Sequence, residues 1–185
     1  GKIEALLAPK EQIPGEEYSM NQRMKAYVLE VKNGQRGPMM MVSRTHPGLV
    51  KRLFELEVPE IKDGTVVIKA ITREAGSRTK IAVAARVEGV DPVGACIGNR
   101  GMRINTIVSE IGGEKIDVVK YSEQPEEFIK AALSPATVNE VIVDGERSCQ
   151  VFVNNDQLSL AIGKEGQNAR LAARLTGVKI DIKSE

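Results

Sequence analysis

The strongest constraint on this 185-residue chain is an internal repeat in its last three quarters. The segments ACIGNRGMRI (95–104) and LAIGKEGQNA (160–169) align without a gap, and each carries a G-x-x-G loop behind an aliphatic residue. An amphipathic helix pattern follows each loop and ends on glycine, and the closing strand patterns KIDV (115–118) and KIDI (179–182) match. A repeat of this kind predicts two copies of one small fold.

The residues before each loop repeat the same order of elements. Proline follows His46 and Gln124 at the predicted start of a helix, and two strand patterns around a glycine turn come next. Each copy therefore predicts helix, strand, strand, helix, G-x-x-G loop, helix and strand, which is an α+β fold. We place the first unit at residues 46–121 and the second unit at residues 122–185, and their short junction favours a rigid pair.

Residues 1–45, the N-terminal segment, have a different pattern. Strand-like runs at 24–31 and 37–42 flank a turn, so the sequence predicts a small and incomplete β region. A third G-x-x-G, at 34–37, lies in this turn and is interpreted as a hairpin with no phosphate role. Basic residues outnumber acidic ones from 22 to 52; such a stretch attracts phosphate, and ordinary solvated surface is its alternative interpretation.

The composition limits the chemistry that the chain can perform. It has one histidine, His46, and two cysteines, Cys96 and Cys149, which share no metal-site spacing. Histidine triads and multi-histidine zinc sites have no residues to use, and P-loop and dinucleotide-binding motifs are lacking, so we predict neither an enzyme nor a metal or cofactor site.

The compartment is predicted from the same composition. Two thiols are too few to cross-link a chain of this size, which indicates a reducing, cytoplasmic compartment. No apolar run approaches the roughly 20 residues of a spanning helix, and the chain begins with neither Met nor a signal-peptide pattern. We therefore expect a soluble fragment of a longer protein that does not interact with membranes.

The two G-x-x-G loops between helices carry the functional prediction. Seventeen glycines give about 1.5 such pairs by chance, so one loop alone means little, whereas two in matching contexts are informative. A tight turn between helices exposes backbone N–H groups at a helix N-terminus, and glycine lets a sugar-phosphate chain approach them. The alternative is a helix-turn-helix corner that needs glycine only for packing.

The residues that we predict to bind RNA lie in and just after these loops. In the first unit they are Gly98, Asn99, Arg100, Gly101 and Arg103, and in the second unit they are Gly163, Lys164, Glu165, Gly166, Asn168 and Arg170. The carboxylate of Glu165 opposes phosphate, so the second loop is expected to bind more weakly. Because the net charge is only +1, attraction to RNA must be local.

Aromatic and aliphatic residues give a further set of expectations. Only six aromatic residues are present, which argues against base stacking on an RRM-like sheet. We interpret Phe54 and Phe128 as core residues of amphipathic helices, and we expect Tyr27 to be buried, with base stacking as its alternative. Ile97 and Ile162 lie beside the loops, where they are candidates for an aliphatic base groove, but core packing is favoured for both.

The repeated units resemble type II KH domains, in which two strands precede the G-x-x-G loop and one follows. The chain resembles most closely the NusA family of bacterial transcription elongation, termination and antitermination factors, through the loops and the segments VSRTHP (42–47) and ITREAGSRTKIAV (71–83). This resemblance spans essentially the whole chain. It implies two tandem type II KH domains preceded, at residues 1–45, by the C-terminal part of an S1 domain, a five-stranded OB-type barrel.

The resemblance also implies a function. The chain would be a non-catalytic fragment that binds single-stranded nascent RNA, with about four nucleotides held at each loop. RNA polymerase and other antitermination factors are implied as partners through the full-length protein, and we expect a monomer. An accessory RNA-binding module of an RNA-processing enzyme or of a ribosome-associated protein is the alternative function, and a protein-only scaffold is a further one.

Overall fold

The computed structural model describes residues 3–185; residues 1 and 2, the start of the predicted barrel segment, lie outside the described residues. The N-terminal segment forms a three-stranded sheet in the order β1-β3-β2, made of β1 (Glu4–Leu6), β2 (Tyr27–Gly34) and β3 (Gly37–Ser43). The two predicted strands pair antiparallel, and Gly34 faces Gly37 across the turn, so this G-x-x-G is a hairpin as predicted. The short strand β1 pairs parallel to β3 and was not predicted.

The first unit has the predicted order of elements with one addition. Its elements are α1 (Pro47–Glu57), α2 (Pro59–Lys62), β4 (Val66–Glu74), β5 (Arg78–Ala85), α3 (Pro92–Ile97), α4 (Met102–Glu110) and β6 (Lys115–Lys120). The extra helix α2 arises because Pro59 holds Val58 in an extended conformation, which ends α1 and starts a new turn. Strand β5 is central, antiparallel to β4 and parallel to β6. The helices and the sheet bury one core, and Phe54 is fully buried in it, as predicted.

The second unit repeats this topology. Its elements are α5 (Pro125–Ala132), β7 (Glu140–Asp144), β8 (Ser148–Val153), α6 (Leu158–Ile162), α7 (Gln167–Thr176) and β9 (Lys179–Ser184). Strand β8 is central, antiparallel to β7 and parallel to β9. Phe128 lies in the core of this unit, as predicted. Gly177, which follows α7, is left-handed (φ 72°), as expected for a glycine that ends a helix.

The two units share a buried interface. Ala82 and Val119, from the outer face of the first sheet, belong to the same hydrophobic cluster as Ala172 of α7. Between the units, the buried ammonium group of Lys80 donates a hydrogen bond to the main-chain carbonyl of Ser134 at 2.7 Å. The outer face of the first sheet is thus covered by the second unit.

Arg44 and Tyr27 of the N-terminal segment contact the first unit. Arg44 is 2% exposed and donates hydrogen bonds to the carboxylates of Glu16 and Glu110, at 2.7 and 3.2 Å. Arg44 belongs to the basic stretch expected to attract phosphate, but its guanidinium group is buried and binds carboxylates of the protein. The ring of Tyr27 stacks on that of His46, with centroids 4.5 Å apart, so Tyr27 is half-buried between the segment and α1.

Candidate nucleic-acid interface

The two G-x-x-G loops between helices have nearly the same backbone conformation. The first glycines, Gly98 and Gly163, have φ/ψ of 76°/173° and 80°/170°. The third residues, Arg100 and Glu165, are left-handed at 54°/27° and 55°/27°. The final glycines, Gly101 and Gly166, are left-handed at 74°/16° and 75°/12°. The repeat seen in the sequence is therefore also a repeat of an uncommon backbone path.

The first glycine of each loop and the last glycine of the second loop have different surroundings. A Cβ atom on Gly98 would lie 2.7 Å from Cγ of Arg103, and one on Gly163 would lie 2.7 Å from the backbone nitrogen of Asn168. The first glycine of each loop thus allows close packing onto the next helix, as the corner alternative requires. A Cβ on Gly166 would meet nothing closer than 4.0 Å, so this end of the second loop borders open space that a nucleic-acid backbone can enter.

Arg103 and Asn168 occupy equivalent places, five residues after the first glycine, and both hold their loop closed. Arg103 donates from Nη1 to the carboxylate of Glu60 and to a main-chain carbonyl of α3, both at 2.7 Å. Asn168 is 2% exposed and donates from Nδ2 to the carbonyls of Ala161 and Leu133, at 2.9 and 3.0 Å. The expected phosphate contact from the Asn168 side chain does not fit this burial, because its amide is used inside the protein.

The middle residues of both loops are exposed. Asn99 and Arg100 in the first loop, and Lys164 and Glu165 in the second, all lie on the surface. The first loop presents one cation without an opposing acid in the loop, whereas the second presents one cation and one anion. If both loops meet phosphate, Coulomb attraction is stronger at the first.

Apolar side chains flank the second loop at the surface. Ile162 is 38% exposed and Leu160 is 44% exposed, so the expectation that Ile162 is a core residue is wrong. The physical reason is that α6 has only five residues and buries only Ala161. Ile97, the equivalent residue in the first unit, is half-buried. These exposed aliphatic side chains fit the alternative of an aliphatic groove for bases.

Arg170 lies at the boundary between the units. Its Nε and Nη2 donate to the two carboxylate oxygens of Glu74 at 2.9 and 2.7 Å, and its Nη1 donates to the carbonyl of Glu165 at 3.0 Å. The hydrogen bonds from Arg170 lower the pKa of the Glu74 carboxyl below its usual value. The pair lines a cleft of about 390 Å³ between the turn after β4 and the second loop. The partner Glu74 is 96 residues away in the chain, and no sequence pattern indicated it.

Family models identify the repeated units. The NusA-like first KH domain matches residues 44–121, and the NusA-like second KH domain matches residues 125–185. The chain belongs to the NusA family. The match confirms the predicted fold class of two tandem KH domains in an α+β chain, and the three-stranded N-terminal segment is consistent with part of an S1 domain in this NusA-family architecture.

Several NusA-family relatives match over nearly the whole chain. The transcription termination/antitermination proteins NusA of Halalkalibacterium halodurans and Bacillus subtilis are 61% and 58% identical over 100% of the chain. That of Thermus thermophilus is 49% identical over 97%. The chain spans about half the length of these curated relatives, covering 49%, 50% and 47% of them.

A solved structure shares the fold. The crystal structure of APE1850 covers 74% of this chain, and the match covers 95% of that protein, with a TM-score of 0.53 at 24% identity. This likeness concerns the fold alone.

Within residues 3–185, no helix has the length and apolar character needed to cross a membrane. In the same residues no group of three or more His, Cys, Asp and Glu side chains could hold a metal ion.

Proposed function

We propose that this chain is a non-catalytic, single-stranded RNA-binding fragment of a transcription elongation, termination and antitermination factor. The observation that carries the proposal is the shared backbone of the two G-x-x-G loops, which agrees within a few degrees at the first, third and fourth residues. Two loops conserved in conformation but not in their middle residues are expected if the main chain itself is the binding element. KH domains use this loop to hold an RNA backbone.

Local electrostatics support a phosphate ligand. Each loop immediately precedes a helix of nine or ten residues, α4 or α7, whose N-terminus attracts anions by about 0.3–1 kcal/mol at a surface site. Arg100 and Lys164 add one exposed cation to each loop. Because Glu165 offsets Lys164, the proposal assigns tighter phosphate binding to the first loop.

The surroundings of the two cysteines and the one histidine support the non-catalytic part of the proposal. Burial raises the pKa of the Cys96 thiol to about 12, and burial also raises that of Cys149. A buried thiol that stays protonated is a poor nucleophile. The only histidine, His46, accepts a hydrogen bond from the backbone N–H of Gly48 at the start of α1, which is a capping role.

The proposal extends to the partners and location of the full-length protein. Relatives named as transcription termination/antitermination proteins support RNA polymerase and other antitermination factors as its partners, and hence a cytoplasmic location. We propose that the fragment itself acts as a monomer, which light scattering at two concentrations tests.

The experiment is an RNA titration with loop variants. A labelled single-stranded RNA of about 12 nucleotides, long enough for two loops at four nucleotides each, is compared with duplex RNA and duplex DNA between about 50 and 200 mM salt. Replacing Asn99 and Arg100 together by Asp is expected to weaken single-strand binding about tenfold or more and to reduce its salt dependence. Aspartate tolerates the left-handed conformation at residue 100, so the fold is retained.

The third G-x-x-G supplies a matched control. Replacing Gln35 and Arg36 by Asp changes the charge by the same amount, in a hairpin turn to which we assign no phosphate role. This variant is expected to bind RNA with nearly unchanged affinity. Equal loss in the two variants would mean that RNA is held by bulk electrostatics. Undiminished RNA affinity in folded loop variants would show that RNA binds elsewhere on the chain, and a wild-type chain with no measurable RNA affinity would leave the protein-only scaffold.

A further inference from the structure

We propose that Arg170 is a positioning residue through which the first unit holds the second G-x-x-G loop in its RNA-binding conformation. This inference rests on the proposed function and concerns how one of its two loops is kept in shape. Arg170 is the residue on α7 that connects Glu74, at the end of β4, with Glu165, inside the loop.

The geometry assigns each side of the guanidinium group a different task. The Nε and Nη2 side forms two parallel hydrogen bonds with the Glu74 carboxylate, the geometry that orients an arginine most firmly. The Nη1 side then donates to the main-chain carbonyl of Glu165, the left-handed residue of the loop (φ 55°). Because a left-handed conformation is unfavourable for a residue with a side chain, a hydrogen bond that fixes its carbonyl stabilises the loop.

Neighbouring contacts strengthen this connection between the units. Gln167, the first residue of α7, donates from Nε2 to Oγ of Ser77 in the turn after β4, at 2.6 Å. One turn further along, Thr72 of β4 donates from Oγ1 to the carbonyl of Leu171 at 3.2 Å. The start of α7, and with it the end of the second loop, is therefore fixed against the first unit.

Among residues 3–185, the first loop and the start of α4 make no equivalent side-chain hydrogen bond to the second unit. The position equivalent to Arg170 is Asn105, which is exposed. The first loop is instead closed by Arg103 and Glu60, both within the first unit. Removing the contact between the units should therefore affect the second loop and leave the first unchanged.

The same geometry argues against Arg170 as a direct phosphate ligand. Three of its five N–H groups donate to acceptors of the protein, and two of these three hydrogen bonds go to a carboxylate. A phosphate would have to displace Glu74 or approach beside its negative charge. Arg170 therefore acts through the backbone of Glu165.

The test uses Glu74→Gln, which keeps the shape of the side chain and removes its charge, and Arg170→Lys, which keeps the cation and loses the planar fork. Each is expected to weaken binding of the single-stranded RNA about three- to tenfold. Glu74→Gln should have this effect in the wild-type chain and when Asn99 and Arg100 are both Asp. It should have no further effect when Lys164 and Glu165 are both Asp, because the second loop is then already disabled.

A second measurement tests positioning without RNA. Amide hydrogen exchange of Gly166 and Gln167 should accelerate in Glu74→Gln, while exchange of Gly101 in the first loop stays unchanged. The control is Glu55→Gln, which removes the acid of the Arg52–Glu55 pair on α1, an ion pair of similar length with an Nη1–Oε2 distance of 2.8 Å. Glu55→Gln should change neither RNA affinity nor exchange at the second loop.

Three results would overturn the inference. Tighter RNA binding by Glu74→Gln would mean that Glu74 masks a phosphate-binding Arg170. Equal weakening in all three backgrounds would indicate a general loss of fold, and unchanged affinity together with unchanged exchange would show that the contact does not position the loop. The proposed function fails separately, if the aspartate variants of both loops bind RNA as well as the wild type does.

Discussion

The two units share one fold but differ in chemistry at an equivalent buried position. In the first unit, Arg73 of β4 and Glu114, just before β6, form an ion pair at 3.0 Å with both side chains fully buried. In the second unit the equivalent residues are Val143 of β7 and Val178, just before β9, which pack against the hydrophobic core. The fold therefore does not require an ion pair at this position.

The ion pair nevertheless has several roles in the first unit. Glu114 also accepts hydrogen bonds from the hydroxyl of Thr79 at 2.6 Å and from the backbone N–H of Gly76 at 2.8 Å, and Arg73 donates to the carbonyl of His46 at 2.9 Å. The pair thereby connects the turn after β4 to the start of α1. A buried pair of this kind is costly to break from one side, whereas well-packed apolar residues can replace the whole pair.

The largest predicted effect comes from breaking this pair. Glu114→Val leaves Arg73 buried without its partner and should lower the free energy of unfolding by about 3–5 kcal/mol, measured by urea denaturation. Arg73→Val, Thr79→Cys and Glu114→Val together copy the second unit into the first and should recover most of that loss. A triple variant no more stable than the single one would show that the two units are not interchangeable at this position.

Replacing the first glycine of each loop by alanine should cost less stability than breaking the ion pair, and the cost should differ between the two loops. Gly163→Ala places a Cβ against a backbone nitrogen that cannot move away, whereas at Gly98 the neighbour is the flexible side chain of Arg103. With a backbone conformation that only glycine adopts readily, we expect losses of about 3 kcal/mol for Gly163→Ala and about 2 kcal/mol for Gly98→Ala. Gly166→Asn, at a left-handed position with open space, should cost about 1 kcal/mol or less. A reversed order of the two alanine variants would contradict the packing described here.

Acid should destabilise the folded chain by protonating three carboxyls that are paired with basic residues. Hydrogen bonds from Arg44 and Arg170 lower the pKa of Glu16 and of Glu74, respectively. Burial alone would raise the pKa of Asp117, but the basic side chains of Arg78 and Lys80 more than offset burial and lower it. Carboxyls with a depressed pKa contribute stability that is complete above the unfolded values of about 4 and is lost as the pH falls through the folded values. Urea midpoints should thus fall between about pH 5 and pH 3.

Glu74→Gln is the control for this acid effect. It removes one of the three carboxyls, so its urea midpoint should fall less steeply with acid than that of the wild type. Identical slopes in the two proteins would exclude Glu74 from the acid response.

The smallest difference concerns the two thiols, one in each unit. The pKa of Cys96 is raised to about 12, and that of Cys149 is raised as well, in both cases chiefly by burial. Neither should react with a thiol reagent at about pH 8 in the folded protein, and both should react in urea. Rapid labelling of one cysteine in native buffer would reveal local opening of its unit.

Much of the architecture could be predicted because the same sequence pattern occurs in both units. The positions of the loops, the strands on either side of them and the glycine helix ends follow from local patterns that recur. The contacts of Arg170 with Glu74 and of Arg73 with Glu114 could not be predicted, because they join residues far apart in the chain whose types also suit a solvated surface. The burial of Asn168 could not be predicted either, because its side chain donates a hydrogen bond to the carbonyl of Leu133, which is 35 residues away in the chain.

The most direct test of the central claim is an amide chemical-shift titration of the labelled chain with single-stranded RNA. The account predicts the largest shifts at residues 98–104 and 163–169, with the first loop responding at lower RNA concentration than the second. Residues 33–36, in the hairpin with the third G-x-x-G, should shift little. Shifts concentrated in that hairpin, with both loops unchanged, would contradict the account.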